Sequence, residues 1–98
     1  MCGLAGVFAF TDAGRQAFGL LPAALAALAH RGPDASKIFR SGAIGLAHTR
    51  LSVIDPSPLA NQPFTEAKGR YTIIFNGEIF NYKKLRSDLI GRGYNFTT

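Results

Sequence analysis

The stretch FGLLPAALAALAH, residues 18–30, constrains the fold more than any other part of the chain. Its alanine and leucine content predicts a helix, in which Pro22 is tolerable only in the first turn. RGPD at 31–34 stops that helix: Gly32 suits the C-terminal cap and Pro33 cannot continue it. The apolar run is shorter than a membrane span and holds a proline, so it does not read as a transmembrane segment.

Short apolar runs stand on both sides. LAGVFAF, residues 4–10, reads as a buried strand, and TDAGRQ, residues 11–16, as a turn. SKIFRS at 36–41 and AIGLAHTRLSVID at 43–55 read as two strands with a turn near Ser41 and Gly42. PSPLANQPF is a proline-punctuated loop. RYTIIFNGEIF, residues 70–80, reads as two strands joined at Asn76-Gly77, the dipeptide most favoured in tight hairpins. NYKKLRSDLIGRGY is an amphipathic helix that turns Tyr82, Leu85, Leu89 and Ile90 inward, with Gly91 or Gly93 at its end. NFTT then begins another strand. Strand, helix, strands, helix, with hairpins among the strands, predicts the α+β class.

Ninety-eight residues make at most one domain, and 47% hydrophobic against 17% charged residues argues against disorder. One cysteine excludes an internal disulfide and a multi-cysteine zinc site, and no signal peptide is visible, so a reducing, cytoplasmic setting is expected. The net charge of +5 invites a nucleic-acid reading, but the basic residues are scattered. Only Lys83, Lys84 and Arg86 cluster, and a solvated helix face explains them. Neither nucleic acid nor membrane is expected as a partner. His30 and His48 lie too far apart to suggest a metal and read as capping or packing residues. There is no GxSxG elbow, Walker loop, HExxH or GxGxxG.

That elimination leaves three pieces of chemistry. If Met1 is removed, Cys2 carries a thiol and a free α-amino group, a nucleophile and a candidate base in one residue, although an incidental second-position cysteine is the commoner case on position alone. An α-amine with a pKa of about 7.7–8.0 is partly unprotonated near neutral pH and can accept the thiol proton. Asn76 and Gly77 offer a side-chain amide and a backbone N–H, two donors for an oxyanion, although a plain hairpin turn uses the same dipeptide. Glu78 can hold a cation, and Arg50 can hold a carboxylate bidentately, although a solvated arginine at a strand end is the commoner case. Together they suit hydrolysis of an amide whose far end carries a carboxylate and an ammonium group. Free glutamine fits.

MCGLAGVF, RGPD at 31–34, RLSVID at 50–55, NQPF at 61–64 and FNGEIFNYKKLR at 75–86 together resemble the glutaminase domain of glutamine-hydrolysing asparagine synthetases. These are class II glutamine amidotransferases of the N-terminal-nucleophile hydrolase family. The resemblance runs from Cys2 to Thr98 and implies two antiparallel sheets sandwiched between helices. It implies Cys2 as nucleophile, with Asn76 and the Gly77 N–H as the oxyanion hole. Arg50 would bind the glutamine α-carboxylate, assisted by backbone groups from Leu51 through Ile54, and Glu78 would help bind the ammonium. Glutaminase action needs no cofactor; ATP and magnesium would serve a C-terminal synthetase domain that activates aspartate for the released ammonia. Sugar-phosphate amidotransferases share the terminal cysteine and the NG segment, but RGPD, RLSVID and NGEIFNY are closer to the synthetase branch.

Two departures accompany the resemblance. Ala35 stands where the family usually carries another acid, and the chain stops before the segment whose aspartate also contacts the substrate ammonium. The chain is therefore expected to be the N-terminal portion of such a domain, with an incomplete two-sheet core and exposed strand edges that invite a homodimer. A non-catalytic relative, or an amidotransferase acting on a sugar or a peptide acid, are the rival readings.

Overall fold

Antiparallel pairing organises the first half of the chain. In the computed structural model, which describes residues 2–52 and 57–97, three strands form one sheet: β1 (Gly3–Phe8), β2 (Ala35–Ser41) and β3 (Ile44–Arg50). Their order is β1-β3-β2, with Gly3 opposite Thr49 and Ala35 opposite Arg50. The β2–β3 hairpin turns through Gly42, whose φ of 56° is the left-handed conformation that glycine adopts without steric penalty.

Side chains alternate across a sheet, so Gly3, Ala5 and Val7 share a face with Gly45, Ala47 and Thr49. Against that face lies α2 (Leu21–Leu28), with Pro22 in its first turn and a 3-10 turn at each end, Ala17–Leu20 and Ala29–Arg31. The helix expected over 18–30 is thus present in three short segments. The core is Ala9, Phe18, Leu21 and Ala47, with Ala5, Val7 and Leu25 packed on it. Small residues let helix and sheet approach closely: a Cβ on Gly45 would lie 2.8 Å from both Leu21 and Phe18. Gly32 has a sharper constraint, because its Cβ would stand 2.3 Å from the Thr49 carbonyl carbon. The chain therefore leaves α2 directly against the end of β3.

Four sequence expectations are corrected. TDAGRQ is not a turn but contains a helix, α1 (Asp12–Gln16), capped by Thr11, whose side chain accepts the Gly14 N–H at 3.0 Å. RYTIIFNGEIF does not form two strands joined at Asn76-Gly77. Its only strand is β5 (Thr72–Ile73), paired with β4 (Phe64–Thr65). The turn lies between them, where Gly69 has φ 73° and the Glu66 carboxylate accepts the Lys68 and Arg70 N–H groups at 2.8 and 2.5 Å. Those amides, Lys68 first, also hold the Glu66 carboxyl below its usual range. Neither Asn76 nor Gly77 has a positive φ, so the tight turn that favours this dipeptide is not made.

The last helix, α3 (Tyr82–Gly91), has the expected bounds but not the expected burial. Tyr82, Leu85, Leu89 and Ile90 are 37–53% exposed rather than inward-facing. Periodicity marks a face as apolar without saying what covers it, and no described element does. Gly93, at φ 93°, ends the helix with the Tyr94 N–H bonded back to the Leu89 carbonyl at 3.0 Å. Residues 94–97 form no strand; Phe96 instead lies under the Arg86 guanidinium, 4.8 Å from ring centroid to carbon. The architecture is a mixture of helices and antiparallel sheets, compatible with α+β. Among the described residues no helix is long and apolar enough to cross a membrane.

Candidate active site

The start of β1 and the end of β3 meet at one end of the sheet. Thr49 fixes the junction: its hydroxyl accepts the Gly3 N–H at 3.1 Å and donates to the Leu28 carbonyl at 3.2 Å. Cys2, one residue before β1, is half-buried there. The Leu51 N–H points at its Sγ at 3.4 Å, and the Cys2 thiol faces the Leu51 carbonyl at 3.9 Å. From the other side Arg31 Nε donates to the Cys2 carbonyl at 3.2 Å. A residue near the chain end, which would otherwise fray, is held at both its backbone and its sulfur.

Strand alternation puts Arg50 on the face opposite α2, the face that Leu4 and His48 share. Arg50 is only 7% exposed, so it is not a solvated strand-end arginine. Its Nη1 donates to the Ser57 carbonyl and to Asn61 Oδ1, both at 2.7 Å. These charge-assisted bonds satisfy one nitrogen of the guanidinium. The Nε–Nη2 edge makes no hydrogen bond to a described residue, and that edge can grip a carboxylate bidentately. At the backbone of Arg50, Asp34 donates its N–H to the Arg50 carbonyl at 2.9 Å, and its Oδ2 accepts the Ser52 N–H at 2.7 Å. A cleft of about 400 Å³, lined by Asp34, Ala35, Ser52, Pro58 and Asn61, opens there.

Asn76 is half-buried, and Gly77 and Glu78 are exposed. Among the described residues none of the three hydrogen-bonds to Cys2 or Arg50. Ile54 lies outside the described residues. The structure thus brings Cys2, Arg50 and Leu51 together and leaves the Asn76–Gly77–Glu78 segment joined to them indirectly. That joint runs through Gln62, whose Oε1 accepts the Phe75 N–H at 2.5 Å. Asn61 and Gln62 were visible in the sequence only as part of NQPF, and nothing in that tetrapeptide announces which backbone groups its amides meet.

His48 lies under this region, fully buried, with neither ring nitrogen in a hydrogen bond. Burial lowers its pKa; the Phe75 backbone, near but outside hydrogen-bonding geometry, opposes this, and the Arg50 charge adds to it. It is a packed, neutral histidine. Among the described residues no group of three His, Cys, Asp or Glu side chains is placed to hold a metal ion.

The whole chain, residues 1–98, matches the glutamine amidotransferase domain family. The chain belongs to that family. As an amidotransferase domain it is homologous to glutamine-hydrolysing asparagine synthetases. It is 39% identical over 100 residues to asparagine synthetase 1 of Bacillus subtilis (strain 168), which covers all of this chain and 16% of that protein. It is also 39% identical over 101 residues to asparagine synthetase B of Escherichia coli (strain K12), covering all of this chain and 17% of that protein. A third relative, amidase chry2 of Gibberella zeae, is 42% identical over 71 residues, 70% of this chain and 11% of that protein. The chain therefore spans about a sixth of the length of the synthetases it matches.

Proposed function

We propose that this amidotransferase domain hydrolyses glutamine to glutamate and ammonia with Cys2 as its nucleophile, for ATP-dependent asparagine synthesis in the full-length protein. The observation that carries this reading is the seating of Cys2 Sγ against Leu51, one residue from the buried Arg50. After removal of Met1, the Cys2 α-amine takes the thiol proton and the sulfur attacks the side-chain amide carbon of glutamine. The developing oxyanion accepts hydrogen bonds from the Asn76 side-chain amide and the Gly77 N–H, worth ~3–4 kcal/mol per donor where such a group has been removed in a protease. Ammonia leaves with the proton, and water hydrolyses the thioester to glutamate. Arg50 holds the substrate α-carboxylate through its Nε–Nη2 edge, with Leu51 and Ile54 lining that end, and Glu78 holds the ammonium.

The same reading makes residues 1–98 the N-terminal portion of an N-terminal-nucleophile hydrolase domain, in a cytoplasmic protein. Hydrolysis itself needs no cofactor. ATP and magnesium belong to a C-terminal synthetase domain, which the greater length of the relatives accommodates. The likeness to an amidase over 71 residues favours, as a second reading, an amidotransferase with a different acceptor. Assaying the full-length protein with aspartate against other acceptor acids separates the two.

Intact mass tests the central claim. The protein should lack Met1 and take one adduct on Cys2 from a glutamine-analogue electrophile, with excess glutamine blocking the adduct. Cys2→Ala should abolish labelling and glutaminase activity together. Retained Met1, or labelling indifferent to glutamine, would mark a non-catalytic relative.

A further inference from the structure

Two adjacent amides stand between the two halves of the proposed site. Asn61 Oδ1 accepts from Arg50 Nη1 at 2.7 Å, while Gln62 Oε1 accepts the Phe75 N–H at 2.5 Å. Phe75 directly precedes Asn76 and Gly77. We infer that Asn61-Gln62 is a strut that sets the carboxylate-binding arginine and the oxyanion segment in fixed relation to each other, so that both residues are positioning residues for glutamine hydrolysis. The inference rests on the function proposed above and adds to it two side chains that never touch the reacting atoms.

The strut has an anchored base. Ser57 Oγ accepts the Leu59 N–H at 3.1 Å and caps the 3-10 turn Pro58–Ala60, and the Asn61 N–H closes that turn onto the Pro58 carbonyl at 3.1 Å. Immediately after Gln62, Pro63 is fully buried and its carbonyl accepts from Lys37 Nζ of β2 at 3.3 Å. The two amides therefore project from a segment fixed at both ends. Each also accepts a donor that matters on the far side. Without Asn61, the Arg50 guanidinium keeps, among the described residues, a single hydrogen-bond partner, the Ser57 carbonyl, and its orientation is less tightly set. Without Gln62, the Phe75 N–H loses its partner in a stretch that pairs with no strand, because β5 stops at Ile73. A misplacement of about 1 Å at a reacting centre is enough to lower rates ~100-fold, so modest loosening here is readable in kinetics.

The two contacts predict different kinetic signatures, which a merely structural role would not. In the full-length protein, Asn61→Leu removes the acceptor from Arg50 and should raise the KM for glutamine about tenfold with kcat nearly unchanged, as loss of a charge-assisted bond implies. Gln62→Leu removes the acceptor from Phe75 and should lower kcat about tenfold with a smaller change in KM, because the oxyanion donors act in the transition state. Gln62→Glu keeps an acceptor oxygen in place and should recover most of the loss in kcat, whereas Asn61→Asp keeps the acceptor but adds a negative charge beside the bound carboxylate, so the KM should stay raised. Amide hydrogen exchange at Phe75 supplies a readout independent of turnover: it should quicken about tenfold in Gln62→Leu and stay unchanged in Gln62→Glu. Equal effects of both leucine variants on kcat and KM, no effect of either, or unaltered exchange at Phe75 would overturn the strut. Should the wild-type protein prove to have no Cys2-dependent glutaminase, the proposed function falls, and exchange at Phe75 still decides whether Gln62 holds that segment.

Discussion

His48 shows how one residue ties the site to the pH of its surroundings. Burial without a hydrogen-bond partner keeps its folded-state pKa below the ordinary value of 6.5, so the unfolded chain takes up the proton first. Its contribution to stability is therefore complete above about pH 6.5 and declines as the pH falls towards the folded-state pKa. Urea midpoints should hold steady above that value and drop below it, and His48→Phe should flatten the acid side of the profile. A wild-type and a variant profile of equal slope would show that another group is responsible. Cys2 and Arg50 could be singled out in the sequence as candidates, since a second-position cysteine and the arginine of RLSVID stand within motifs that resemble the amidotransferase family. The burial of Arg50, its grip by Asn61 and the orphaned state of His48 were not legible there. They depend on residues 11 or more positions away that the fold brings together.

At the scale of elements, helices and strands differ in how much of them is committed to the core. α2 lies on the small-residue face of the β1-β3-β2 sheet and buries Leu21, which is 3% exposed. α3 has a similar apolar periodicity but leaves Leu89 37% exposed. Leu21→Ala should therefore destabilise the fold by about 2–5 kcal/mol, the usual range for a core leucine. Leu89→Gln should change stability by less than about 0.5 kcal/mol, as surface substitutions do. Thermal melts of both variants check the contrast, and equal losses would mean that α3 packs in solution against something else. The β2–β3 hairpin was readable because its turn at Ser41 and Gly42 separates two short segments that each read as a strand. The β4–β5 hairpin was not, because its turn is closed by the Glu66 side chain, while Asn76-Gly77 carried the stronger local signal and lost.

The whole molecule is more open than its length implies. Its radius of gyration is 15.0 Å, against about 13 Å for a compact domain near 100 residues. The openness has a visible source: Leu4 and Phe8 on β1, Ile73 of β5 and Phe75 just after it, and the apolar side of α3 are all at least 37% exposed. Apolar surface of this extent favours association. The 98-residue chain alone should bind a hydrophobic dye and sediment as a concentration-dependent homodimer or larger species. A monomer that neither binds dye nor changes with concentration would count against that partner.

Composition and the placement of glycine and proline were enough to determine that helices mix with antiparallel strands, that α2 stops at RGPD and that β2 and β3 form a hairpin, and the motifs from MCGLAGVF to FNGEIFNYKKLR carried the likeness to the amidotransferase family. The structural features among these follow from interactions within a few residues. Which face of the sheet takes α2, how Thr49 and Leu51 seat Cys2, and how Asn61 and Gln62 reach Arg50 and Phe75 were decided by the tertiary structure alone. Those outcomes depend on strand register and on close approaches such as Gly32 against Thr49, which arise between segments distant in the chain.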